Sequence, residues 1–120
     1  MNHKPRILFV CGQNKWRSPT AERIYKNDQR VEVRSAGLSV RSQHSLSKSD
    51  LVWADLVLVM EPGYKSRIFS IFGKIQSSQI KSLDIPDEYK FMDEELIELI
   101  QSSVEYHIKR LLVETESLDN

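Results

Sequence analysis

The hydrophobic positions along the chain fall into two kinds of run, and their order predicts strands alternating with helices. Ile7-Leu8-Phe9-Val10 is continuously apolar, as a central parallel strand covered on both faces would be. "SPTAERIYKN" then reads as a helix with Ser18 as N-cap, Pro19 at its first position and Glu22 in its first turn. "VEVRSAG" alternates apolar and charged residues, as an edge strand does, and ends at Ala36-Gly37. "LSKSDLVWA" predicts a short helix capped by Ser47, and "ADLVLVM" (54–60) a second inner strand. "EPGYKSRIFSIF" follows as a helix whose start is left open, because Pro62-Gly63 is equally a turn signal. "QIKSL" (79–83) is a weak strand for the other edge. From Asp93 onward, Leu96, Leu99, Ile100, Val104, Ile108, Leu111 and Leu112 recur at helical spacing. Asp93 suits its cap, Glu94 and Glu95 its positive end, and Lys109 and Arg110 sit late. Such alternation implies a parallel sheet, whose ligands bind beyond the carboxyl ends of the strands. Cys11 lies at such an end.

Length and charge narrow the classes. With 120 residues the expectation is one domain spanning 1–120. Seventeen Lys and Arg balance seventeen Asp and Glu, so no global field points to nucleic acid. Residues 1–50 hold ten basic against four acidic side chains, and 51–120 hold seven against thirteen, which reads as two solvated faces of opposite sign. Cys11 is the only cysteine, which excludes an internal disulfide and argues against both oxidising export and a zinc cluster. The N-terminal apolar run is too short for a signal peptide or a membrane span. A cytoplasmic protein without metal, cofactor, nucleic-acid or membrane partner is expected.

The segment from Cys11 to Arg17 carries the chemistry. A loop leading from a strand into a helix N-terminus directs several backbone N–H groups at one spot, where the helix dipole favours negative charge. Such a nest binds a tetrahedral oxyanion, and the planar fork of Arg17 can hold two phosphoryl oxygens at once. Helix N-terminal positions also favour the thiolate form of a cysteine. One loop thereby offers a nucleophile, Cys11, and a cradle for the group it attacks. The Ser18 hydroxyl is placed to bond the sulfur, and Asn14 tolerates the positive φ of a tight loop. A bare C-x5-R spacing is weak, and a lone cysteine ending a strand is commonly inert packing. Strand, C-x5-R, Ser-Pro and helix together are far more specific.

"VCGQNKWRSPTAE" resembles the active-site loop of the low-molecular-weight protein tyrosine phosphatases, whose pattern is C-x-G-N-x-C-R-S-P. "VRSAG" resembles the family's second strand and "WADLVLVMEPGY" its third, so that the likeness extends loosely over residues 6–116. The resemblance implies a three-layer α/β fold: a four-stranded parallel sheet, helices on both faces and a phosphate-binding loop after the first strand. It implies a metal-free, two-step hydrolysis of phosphate monoesters, with protein phosphotyrosine the expected substrate and inorganic phosphate the product. By position, Cys11 becomes the nucleophile, Arg17 the phosphate-binding arginine and Ser18 the hydroxyl beside the sulfur. Asn14 and Ser35 match the polar pair that, with Ser18, supports the loop. Gly12, Gln13, Lys15 and Trp16 complete the substrate-binding loop.

The chain also departs from the pattern. Trp16 replaces the family's second loop cysteine, so the protective disulfide is impossible, and Gln13 replaces a glycine. Gly12 and Lys15 replace apolar pocket walls, which opens the site and adds charge. The family's D-P-Y segment, source of the proton for the leaving group, corresponds to "SLDIPDEYKFMD". Asp87 with Tyr89 as an aromatic wall is the preferred match; Asp84, nearer the strand end, is the alternative acid. Trp16 flanks the pocket mouth or packs on the helix, Trp53 suits the core, and Asp55 resembles a family aspartate near the loop. Two other readings stand beside phosphatase. A thiol-dependent arsenate reductase on the same fold would need an external thiol, and a phosphorylated protein or small ester would be replaced by arsenate. A non-catalytic oxyanion-binding module would need neither a reactive thiol nor an acid.

Overall fold

The computed structural model describes residues 3–74 and 79–119. The strands are β1 (Arg6–Cys11), β2 (Glu32–Gly37), β3 (Leu56–Val59) and β4 (Gln79–Ser82). The helices are α1 (Arg17–Tyr25), α2 (Lys48–Trp53), α3 (Gly63–Phe72) and α4 (Glu94–Asp119). The sheet is parallel throughout in the order β2-β1-β3-β4, so the two fully apolar runs are the inner strands and the two polar ones the edges.

Alternation along the inner strands divides the core in two. Ile7, Phe9, Cys11, Leu56, Leu58 and Met60 face one layer with Leu96, Ile100, Val104 and Ile108 of α4 and Ala21 and Tyr25 of α1. Leu8, Val10, Val57 and Val59 face the other, with Leu51 of α2 and Ile68 of α3. The four-residue spacing of the fully buried α4 positions makes the stripe that docks the helix, each such side chain contributing roughly 1.5–3 kcal/mol of burial.

Most helix starts follow the sequence signals, and one does not. Ser47 caps α2 in a full capping box with Asp50, and Asp93 accepts from the backbone N–H of Glu95 at 2.9 Å and of Leu96 at 3.3 Å. Helix α1, however, begins at Arg17, with Trp16 rather than Ser18 in the cap position and no side-chain cap at all. Glu22 consequently lies beyond the first turn. The reason is competition: the hydroxyl expected to cap is consumed by a network behind Cys11. Helix α4 runs past Lys109 and Arg110, which therefore do not occupy its last turn. Asp55 bonds the Arg6 amide at 2.9 Å, at the end of β1 opposite Cys11, and is not near the loop. Trp53 is only partly buried and lies under the Arg34 guanidinium, 4.2 Å from its ring centre.

Candidate active site

The loop 11–18 leaves the sheet at the carboxyl end of β1 and closes against the end of β2. Leu38 donates its N–H to the Cys11 carbonyl at 3.0 Å and Ser39 to that of Gly12 at 2.8 Å. This lacing requires Gly37: a Cβ there would meet the Ser42 Oγ at 2.0 Å and the Asn14 backbone nitrogen at 2.7 Å. Asn14 takes φ 53°, the left-handed turn that reverses the chain, and is buried.

Behind the thiol runs a continuous chain of hydrogen bonds. Cys11 Sγ and Ser18 Oγ are 2.9 Å apart, and Asn14 Nδ2 donates to Ser18 Oγ at 2.9 Å and to Ser35 Oγ at 3.0 Å. Ser35 in turn donates to Glu22 Oε1 at 2.6 Å. Because Ser18 already accepts from Asn14, its own proton is directed to the sulfur or to the Ala36 carbonyl 3.4 Å away. The chain of bonds fixes the Ser18 hydroxyl against the sulfur.

Arg17 is 3% exposed and bound on several sides. Nη1 donates to the Ile85 carbonyl at 2.8 Å, Nη2 to the Tyr64 hydroxyl at 3.2 Å, and Glu61 Oε2 lies 2.8 Å from Nη2. Asp87 Oδ1 is 3.6 Å from Nε. Burial opposes the guanidinium charge, but the bonds to Glu61 and Tyr64 outweigh it and raise the pKa above its ordinary value. Glu61, which accepts from the Tyr64 hydroxyl at 2.7 Å and then pairs with Arg17, is held below the usual carboxylate range. Tyr64 moves up, first through burial and then through its bond to Glu61. Arg17 is thus always charged, and an incoming oxyanion competes with two carboxylates for its fork.

The sequence-derived residues are not gathered equally. Cys11, Gly12, Gln13, Lys15, Trp16, Arg17 and Asp87 line one cavity of about 330 Å³ at the carboxyl end of the sheet. Asn14, Ser18 and Ser35 lie behind it. Asp84 stays outside, its φ of 56° and its bonds with Ser82 folding the turn after β4. Tyr89 packs against the α4 side of the core instead of lining this cavity. The aromatic wall there belongs to Tyr64, whose hydroxyl lies 3.2 Å from where a Cβ on Gly12 would be. Glu22, Glu61 and Tyr64 were not foreseen; the one signal for the last two was their place after an inner strand. Among the described residues no group of acidic, histidine and cysteine side chains could hold a metal ion.

The parallel α/β sheet carries a thiol and an arginine on its first crossover, and the comparisons with known proteins show what this arrangement resembles. The family model for low molecular weight phosphotyrosine protein phosphatase matches residues 6–48. A protein-arginine-phosphatase of Geobacillus stearothermophilus is 36% identical over 91 residues, covering 56% of this chain and 62% of that relative's length. An arginine phosphatase structure from the same organism superposes with a TM-score of 0.69 at 29% identity, covering 97% of each chain. A low molecular weight protein tyrosine phosphatase from T. tengcongensis superposes at 0.66 with 26% identity, over 92% of this chain and 99% of that one. The chain is similar to the low-molecular-weight phosphatases, and the relatives it resembles are bacterial tyrosine and arginine phosphatases. No helix among the described residues is long and apolar enough to cross a membrane.

Proposed function

We propose that this chain is a metal-independent phosphatase of phosphate monoesters, acting through a phosphocysteine on protein phosphotyrosine, with residues 1–120 working as one domain. The observation that carries the reading is the convergence of Cys11, Arg17 and Asp87 on one cavity. The thiolate of Cys11 attacks phosphorus and the bond from phosphorus to the ester oxygen breaks. Arg17 and the loop N–H groups hold the equatorial oxygens, while Asp87 gives its proton to the departing oxygen. Water, deprotonated by Asp87, then attacks the phosphocysteine, releasing inorganic phosphate and returning the thiolate. Ser18 bonds the sulfur whenever it carries charge, and Tyr64 and Trp16 flank the leaving group. Asp87 is preferred over Asp84 because only Asp87 faces the thiol's cavity.

A second reading is removal of phosphate from arginine, favoured by the relative named for that activity and by the two carboxylates, Glu61 and Asp87, beside the cavity. Lys15 weighs against it, since an ammonium on the cavity wall repels a guanidinium leaving group. The test is a parallel assay with chelator present on an aryl phosphate, a phosphotyrosyl peptide, a phosphoarginyl peptide, and arsenate plus thiol. The proposal requires turnover of the first two and a higher kcat/KM for phosphotyrosine than for phosphoarginine. Turnover of arsenate alone, or of nothing, would replace it with the reductase or the binding module.

A further inference from the structure

A second hollow opens beside the thiol's cavity and shares two walls with it. It encloses about 590 Å³ and is lined by Lys15, Trp16 and Pro19 at the loop, Arg23 of α1 and Lys26 just beyond it, and Phe91. Its charge is one-sided. Lys15, Arg23 and Lys26 are exposed cations, while Glu22, the acidic residue on its wall, already accepts the Ser35 hydroxyl. Its apolar surface is aromatic: Trp16 lies under the Lys15 ammonium, 4.6 Å from the ring centre, and Phe91 keeps 48% of its surface exposed. Phe91 belongs to the segment that carries Asp87. That segment is tied to α1 where the Met92 N–H donates to Thr20 Oγ1 at 2.9 Å.

We infer that this groove receives the polypeptide flanking the phosphorylated residue, and that the segment it takes is acidic with an apolar side chain. The inference rests on the phosphatase reading, since it is continuity with the cavity of Cys11 that makes the groove a substrate surface. A chain lying there would meet Arg23 and Lys26 with its carboxylates and seat its apolar side chain between Trp16 and Phe91. Cationic rims of this kind act on encounter and on selection among partners. A small ester fills only the cavity of Cys11, so the groove separates protein substrates from small ones.

The test uses fluorescein-labelled peptides bearing a non-hydrolysable phosphonate analogue of phosphotyrosine, flanked by either Glu-Glu-Leu or Lys-Lys-Leu. Anisotropy titrations are made with the wild-type chain and with the exposed double variant Arg23→Glu/Lys26→Glu, alongside turnover of para-nitrophenyl phosphate. The expected preference of the wild type for the acidic peptide is about 5–10-fold, from a few solvent-exposed pairs, and weakens as salt is raised. In the double variant the preference vanishes or inverts, while kcat/KM for the small ester stays within about twofold, as the changed charges lie outside the cavity of Cys11. Equal binding of the two peptides to the wild type, or a preference that survives in the variant, overturns the groove even if the small ester is hydrolysed. Self-association that the double variant abolishes would also overturn it, assigning the surface to a second copy. Absence of hydrolysis with the peptide preference intact would sink the phosphatase reading and leave the groove's selectivity standing.

Discussion

The loop 11–18 and the segment 83–93 face each other across the same cavity and are built on opposite terms. In the loop, Asn14, Arg17 and Ser18 are at most 4% exposed, and each makes hydrogen bonds to buried groups. In the segment, Asp84, Pro86, Asp87, Glu88, Lys90 and Phe91 are all exposed. Its backbone takes positive φ at Asp84 (56°) and Met92 (62°). It is held at its ends, where Leu83 donates to Val59 at 2.8 Å and Ile85 to Met60 at 2.9 Å, and where Met92 reaches Thr20. The contrast divides the chemistry. Binding and attack need donors fixed before the substrate arrives, because preorganised dipoles cost nothing to reorient at the transition state. A proton donor meets leaving groups of different shape and must be free to approach them.

The comparison is broken most severely in the loop. Arg17→Lys should lower kcat for an aryl phosphate on the order of 10³-fold, since a point charge cannot replace a planar, multidentate donor. Steady-state kinetics check this, and a variant retaining most of the rate would remove Arg17 from the site.

The segment should respond selectively. Asp87→Asn is expected to slow esters with poor leaving groups on the order of 10²-fold and activated ones far less, steepening the plot of log rate against leaving-group pKa. Asp84→Asn should leave that slope unchanged and cost only stability, because its side chain serves the turn after β4. If the slopes behave the other way round, the acid is Asp84.

Loop and segment also differ in how readily the sequence discloses them. Cys11, Asn14, Arg17 and Ser18 are legible because the cradle is made of neighbours in the chain, and spacing alone brings them together. The sheet is legible for a similar reason: two fully apolar runs must be inner strands. Ser18 shows where local reading fails. Its hydroxyl satisfies the rule for a helix cap, yet a buried thiol and the Asn14 amide claim it, and only tertiary contact decides between them. Glu61 and Tyr64 reach Arg17 from the carboxyl end of β3, a distance in sequence that no motif spans. Tyr89 follows Asp87 by two residues yet packs on the α4 side of the core, and Tyr64 lines the cavity in its place.

The supporting scaffold should show smaller effects. Gly37→Ala forces a Cβ into Ser42 and the Asn14 backbone, and should cost about 1–3 kcal/mol in urea unfolding, with loss of activity in proportion. A neutral result would mean that the β2 end does not shape the loop.

Smallest is an effect of acid far from the site. The Arg30 guanidinium bonds Asp28 at 2.8 Å and Glu105 at 2.8 Å, and these bonds, its largest influence on each, hold both carboxyls below their usual range. A depressed folded-state pKa contributes stability that is present above the unfolded value, about 4 for these groups, and is lost as pH falls through the folded one. Stability should therefore decline below about pH 4, and Arg30→Ala should flatten that decline. An unchanged slope would show the cluster to be energetically silent.

The central claim is that phosphate passes through the sulfur of Cys11. Rapid acid quenching of the wild-type chain during turnover of an aryl phosphate, followed by mass spectrometry of its peptides, tests this directly. The account predicts one phosphoryl group on the peptide containing Cys11, absent from Cys11→Ala, which should show no turnover. Turnover without that adduct, or a Cys11→Ala variant that still hydrolyses the ester, would contradict it.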